Sequence, residues 1–150
     1  MKLSTRSRYG TRLLLDMAEH YQGGPTQLGV IARRLGIAVK YLEQIIIPLK
    51  REGLVKSARG YKGGYMLARR PEEITVREIV VLLEGGLRLT ACTELPESCE
   101  RAETCVMRLV WQVAAEAMHQ KLEGYTLADL LKMEQSVGKG AVGQNVCKEV

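Results

Sequence analysis

A mainly α fold with one small β-element is what the sequence predicts, on three observations. Six stretches carry capping signals or apolar residues at helical spacing. One pair of short alternating runs is joined by a glycine-rich turn. A small residue, a glycine and a set of apolar positions fall where two short helices would cross. Together these describe a winged helix-turn-helix with a two-stranded β-wing and a long later helix suited to dimerisation.

The first helix is expected to begin after Ser4 or Thr5 and to run to about Tyr21, because Tyr9, Leu13, Met17 and Tyr21 lie on one face and Gly23-Gly24-Pro25 stops it. Thr26 is expected to cap a second helix that turns Leu28, Ile31, Ala32 and Leu35 inward, with Gly36 making the tight turn after it. A third helix follows through about Glu52 with Leu42, Ile45, Ile46 and Leu49 on its inner face, and Gly53 suits its C-terminal cap. Pro48 lies inside that helix and predicts a bend or an early end, since proline lacks a backbone donor and crowds the preceding turn.

Leu54-Val55-Lys56-Ser57-Ala58 and Tyr65-Met66-Leu67-Ala68 alternate as short strands about the turn-forming Arg59-Gly60-Tyr61-Lys62-Gly63-Gly64, and read as one hairpin. Thr75-Val76-Arg77-Glu78 reads as a capping box opening a helix that ends at Gly85-Gly86. Val106, Leu109, Val110, Val113, Ala117 and Leu122 mark the long helix, whose near-heptad spacing and length favour dimerisation. Thr126 caps a last short helix to about Gln135. The expected division is a DNA-binding unit over 1–85, a cysteine-rich loop over 86–105, the dimerisation and C-terminal helices over 106–136, and a flexible tail over 137–150.

Composition narrows the function. The chain has 150 residues, enough for a core without disulfides, and its longest apolar run, Ile79 to Leu83, is far short of the ~20 residues of a membrane span. With no apolar stretch ahead of the charges at the N-terminus, a cytoplasmic location is expected, where four cysteines suggest metal or redox chemistry. The net charge of +5 is divided: residues 1–70 hold fourteen Lys and Arg against four acids, and residues 71–150 hold eight against thirteen. An excess of this kind in one half predicts a polyanion-binding surface.

Ala32, Gly36 and Leu42, framed by Ile31, Leu35 and Ile45, have helix-turn-helix spacing, and the major groove of a DNA duplex admits one helix presented in this way. Lys40, Tyr41, Glu43 and Gln44 fall on the outer face of the third helix. Gln can bond an adenine edge, Glu can accept from cytosine, and Lys can reach guanine or phosphate. Arg59 and Lys62 stand at the wing tip, and Lys2 and Arg6 complete the candidate DNA-binding set. Cys92, Cys99 and Cys105 lie on one short acidic loop. Their thiolates suit an iron-sulfur cluster, or zinc with one further ligand. No spacing marks His20 or His119 as part of a hydrolytic site, so no enzyme is expected.

The segments Tyr41-Leu42-Glu43-Gln44, Gly53 to Gly60 and Gly63-Gly64-Tyr65, with Met1 to Thr5 and Arg8-Tyr9-Gly10 before them and Thr126 to Leu130 after, resemble the Rrf-type winged-helix transcription regulators. That family includes IscR-like iron-sulfur, NsrR-like nitric oxide and CymR-like cysteine regulators. The resemblance is greatest to the IscR-like members and covers all but the tail. It implies a homodimer on a double-stranded operator, the third helix in the major groove, Arg59 in the minor groove, and Glu43 choosing between operator classes. It also implies a 2Fe-2S cluster on Cys92, Cys99 and Cys105, with control of cluster-assembly genes and contact with cluster-assembly proteins. Two departures stand out. The gaps between the cysteines are six and five residues where the family usually has five and five, and Met107 stands where IscR-like members place a histidine ligand. Arg8 cannot replace the first-helix acid of NsrR-like members, so Glu43, Glu103, His119, Cys147 or an outside thiol remain for the fourth ligand. The alternatives are a nitric oxide or redox-sensing repressor of the same family, and a small cluster carrier or electron-transfer protein. The last leaves the basic half and the wing without purpose.

Overall fold

The computed structural model describes residues 3–140 apart from Leu87 and Glu94, so Lys2 and Cys147 lie outside the described residues. Helix α1 (Thr5–Glu19) is capped by Ser4, whose hydroxyl accepts from the Ser7 amide at 3.2 Å. It is the central rod of the core and buries Leu13, Leu14, Met17 and Ala18. The helix stops at Glu19, before the expected Tyr21. His20 closes it, and Tyr21–Gly23 form a separate 3₁₀ turn. Gly10 lets α1 cross its neighbours closely: a Cβ there would sit 2.2 Å from Leu83 Cδ1 and 3.3 Å from Ile45 Cγ2.

Helix α2 (Leu28–Leu35) begins after Gln27 without a side-chain cap. Thr26 is not that cap. Its amide and carbonyl instead pair with Tyr65 at 2.9 and 2.8 Å, adding a single bridge to the wing. Gly36 ends α2 in the left-handed conformation (φ 65°, ψ 32°), as the turn requires. Helix α3 (Val39–Arg51) runs through Pro48 and does not end there. Leu42, Ile45 and Ile46 before the proline and Leu49 after it are buried in one core, and the Glu52 amide closes on the Pro48 carbonyl at 3.1 Å. That burial outweighs the proline's cost of about 3 kcal/mol.

Strands β1 (Val55–Ala58) and β2 (Gly64–Leu67) pair antiparallel, with Val55 opposite Leu67 and Ala58 opposite Gly64. Helix α4 (Val76–Glu84) is capped by the Thr75 hydroxyl, which accepts from the Glu78 amide at 3.2 Å. The reciprocal arm of the expected box is used elsewhere, because the Glu78 carboxylate pairs with Arg69. After the cysteine loop comes α5 (Val106–Glu123), then α6 (Leu127–Gly140), which outruns the expected end near Gln135. Thr126 and Asp129 cap α6 reciprocally, at 3.1 and 3.2 Å.

Helices α3, α4 and α6 and the wing pack around α1. Where α5 returns to this body, Val76 donates to the Tyr125 carbonyl at 2.8 Å and Leu127 to the Ile74 carbonyl at 3.0 Å. Helices α4 and α5 therefore form a helical hairpin fastened at its base, with the cysteine loop at its open end. No described helix is long and apolar enough to cross a membrane.

Candidate nucleic-acid interface and cysteine loop

The same periodicity that buries Leu42, Ile45, Ile46 and Leu49 turns Lys40, Glu43, Gln44, Ile47 and Arg51 outward as an exposed stripe along α3. Tyr41 stands at its edge, half-buried, and meets Tyr9 edge-on with ring centres 5.8 Å apart; Arg12 covers the Tyr9 ring at 5.7 Å. This stack ties the start of α3 to α1 and fixes how the stripe is presented.

Arg59, Tyr61 and Lys62 project from the wing tip, all exposed. The tip is tight, with the Gly63 amide on the Gly60 carbonyl at 2.9 Å, and a Cβ on Gly63 would lie 2.5 Å from the Ala58 carbonyl oxygen. Arg6 is exposed in the first turn of α1. The start of α1 is held from below by Glu84 at the end of α4, whose Oε1 accepts from the Ser4 amide at 2.8 Å and from the Ser7 hydroxyl. Burial pushes the Glu84 carboxyl up, but the bonds from Ser7 and Ser4 outweigh burial and hold it below the usual carboxylate range.

Cys92 and Cys105 are half-buried and Cys99 is exposed, and none is in a disulfide. Cys92 lies in the 3₁₀ turn Ala91–Thr93, Cys99 follows the turn Pro96–Ser98, and Cys105 is the N-cap of α5. Arg108 draws the loop onto α5, donating from Nε to the Cys92 carbonyl at 2.8 Å and from Nη1 to the Ala102 carbonyl at 3.3 Å. Among the described residues, no three His, Cys, Asp or Glu side chains are gathered closely enough to hold a metal ion. The donor set nevertheless fits a thiophilic centre, since three cysteines outside any disulfide share one short segment and none of them is buried; the Cys92 sulfur meets the Thr90 hydroxyl at 3.4 Å.

Met107 is half exposed beside this loop. His119 lies further along α5, and its Nδ1 accepts from Arg77 Nε at 2.9 Å, so that nitrogen is engaged by α4. Glu103 is exposed in the loop, while Glu43 belongs to the outer stripe of α3. The sequence reading passed over Ile47, Tyr61, Glu84 and Arg108. The helical spacing of Leu42, Ile45, Ile46 and Leu49 is enough to put Ile47 on the outer face of α3, but the contacts of Glu84 and Arg108 join segments with no local signature.

The outer face of α5 is apolar and uncovered. Val106 and Val113 are 72% and 71% exposed, with Leu109, Val110 and Trp111 also open to solvent.

The Rrf2 family profile, described as an iron-dependent transcriptional regulator, matches residues 3–133. The chain is 46% identical over 132 residues to the protein rrf2 of Nitratidesulfovibrio vulgaris, covering 88% of each. It is 33% identical over 135 residues to the HTH-type transcriptional regulator IscR of Erwinia tasmaniensis, covering 90% of this chain and 81% of that one. Among solved structures it is similar to CymR, the global cysteine regulator of B. subtilis (TM-score 0.74, 37% identity, 89% of this chain and 98% of that one). It is also similar to T. potens IscR (TM-score 0.73, 36% identity, 97% and 94%).

Proposed function

The chain belongs to the Rrf2 family of winged-helix transcription regulators, and from that membership we propose that it acts as a homodimer on a two-fold DNA operator and senses iron-sulfur status through Cys92, Cys99 and Cys105. The relatives are regulators of transcription and not enzymes. The observation that carries the reading is the exposure of the basic half's outer residues: the stripe of α3, which shares a groove with Arg6 in the first turn of α1, and the wing tip.

On this reading Lys40, Tyr41, Glu43 and Gln44 meet base edges and phosphates in the major groove, Arg59 and Lys62 flank it from the wing, and Arg6 and Lys2 meet the backbone. Two copies joined through the uncovered apolar face of α5 present two such surfaces, as a two-fold operator needs. Cys92, Cys99 and Cys105 hold the cluster, taken as 2Fe-2S, which when bound supplies a redox-active centre responsive to iron supply. The fourth ligand comes from a residue beyond these three or from outside the chain. Arg108 positions the loop by its backbone carbonyls, so the three thiols stay available as ligands. The loop joins α4 to α5, and how it is held bears on the junction between the DNA-binding body and the dimer helix.

Anaerobically purified protein tests the sensor half. Visible absorption with stoichiometric iron and sulfide supports the cluster, a colourless zinc protein replaces it with a structural metal, and a metal-free protein leaves the DNA-binding reading standing alone.

A further inference from the structure

We propose that Ile47 is a specificity-determining residue that reads the C5-methyl group of a thymine in the operator, an inference that rests on the reading of α3 as the helix that enters the major groove. Ile47 is 65% exposed, although it sits in the middle of a helix whose other isoleucines, Ile45 and Ile46, are buried. It follows Lys40 by seven residues, Glu43 by four and Gln44 by three, and precedes Arg51 by four, so it lies on the same outward stripe, directly opposite the buried Leu42–Leu49 face.

Nothing in the core explains an apolar side chain there. A polar residue would leave the packing untouched, and leaving a large aliphatic side chain in water forgoes the gain that burial gives it. Charge identifies the occupant. Arg6, Gln44 and Arg51 line the groove around Ile47 together with Pro48, over Leu82 and Leu83 of α4; Glu84 at its edge is occupied by Ser4 and Ser7, and Arg51 also pairs with Glu52 at 3.0 Å, both side chains being exposed. Leu83 is buried and forms the floor, so what the exposed rim offers besides Ile47 is two guanidinium groups and an amide, which suit a duplex, with phosphates for the arginines and a base edge for Gln44. The apolar feature that the major groove offers is the thymine methyl group. A branched aliphatic side chain at the centre of the stripe packs on that methyl, while Gln44 one turn away bonds a neighbouring base. An A·T pair is thereby selected at a position that hydrogen bonding alone leaves open.

The test begins by selecting duplexes from a randomised library with the full-length dimer. In the best sequence, each thymine is then replaced in turn by deoxyuridine, which keeps the hydrogen-bonding edge and lacks only the methyl. For the wild-type protein one thymine per half-site should respond, with binding weakened about three- to five-fold on loss of one methyl contact. Ile47→Ala, at an exposed site where alanine favours the helix, should bind the thymine and deoxyuridine duplexes equally while keeping its other preferences. If the wild type enriches no sequence, the operator reading falls and this inference with it. If it enriches a sequence but no deoxyuridine replacement separates it from Ile47→Ala, only the role of Ile47 is overturned.

Discussion

Glu84 and Ser7, 77 residues apart in sequence, share a hydrogen bond that ties the last turn of α4 to the first turn of α1. The same carboxylate oxygen takes the Ser4 amide at 2.8 Å, so the start of a basic helix is set by an acid that leads directly into the cysteine loop. Because these bonds favour the ionised form, the Glu84 carboxyl titrates lower in the folded chain than in the unfolded one. Its contribution is therefore full above the unfolded carboxyl value of about 4.3 and is lost as pH falls through the lower folded value. Urea midpoints from pH 7 down to 3 should show an acid-side decline that is shallower in Glu84→Gln. An identical decline in both proteins means that this carboxylate has no part in it.

Replacing any one of Cys92, Cys99 or Cys105 with Ala should remove visible colour and iron while leaving helix content and the melting transition close to wild type. The reason is that none of the three thiols belongs to the buried core. Iron retained by the triple variant would rule out the assignment.

If the dimer neutralises about six to ten phosphates, log affinity plotted against log salt should have a slope of roughly −5 to −9. Arg59→Ala should weaken binding by about 1–3 kcal/mol if the side chain enters a narrow minor groove. Fluorescence anisotropy at four salt concentrations measures both, and a flat line contradicts electrostatic docking.

Glu43 shares the outer stripe of α3 with Lys40, and if that stripe enters the major groove a carboxylate there is tolerated only where a cytosine amino group or a cation can pair with it. Glu43→Ala should admit operators that the wild type rejects by about 1–3 kcal/mol per mismatch, while weakening the best site little. Selection from a randomised library with both proteins decides the matter, since an unchanged preference order removes the discriminating role.

Val113 is 71% exposed on α5. Val113→Glu should place a charge in the proposed dimer seam and raise the dimer dissociation constant by about two orders of magnitude, roughly 3 kcal/mol. Sedimentation velocity across a concentration series reads this directly, and a monomeric wild type would already refute the seam.

Much of this architecture is legible in the sequence because periodicity and turn chemistry are local. The inner face of α3, the left-handed Gly36 and the pairing of β1 with β2 depend on residues close together in the chain. What escaped depends on distant partners. Thr26 has a good capping side chain, but Tyr65 takes its backbone into a bridge, and Glu78 completes a box in sequence while Arg69 claims its carboxylate in space. Pro48 is tolerated because tertiary burial on both sides of it exceeds a local penalty. The cysteines are visible as a group of donors, but their spacing says nothing of how Arg108 folds the loop onto α5.

The fastening of Ile74–Val76 to Tyr125–Leu127 makes the α4–α5 hairpin a clip closed at one end. Both legs are anchored at the closed end by backbone bonds, so their register is set there, while the open end is held by side chains, Glu84 on α1 and Arg108 on the loop. The segment between Cys92 and Cys99, six residues long, lies at that open end. What crosses from the open end into the body is the Glu84 carboxylate on Ser4 and Ser7, so a change in the loop reaches the first turn of α1 through that contact and through the seat of α5.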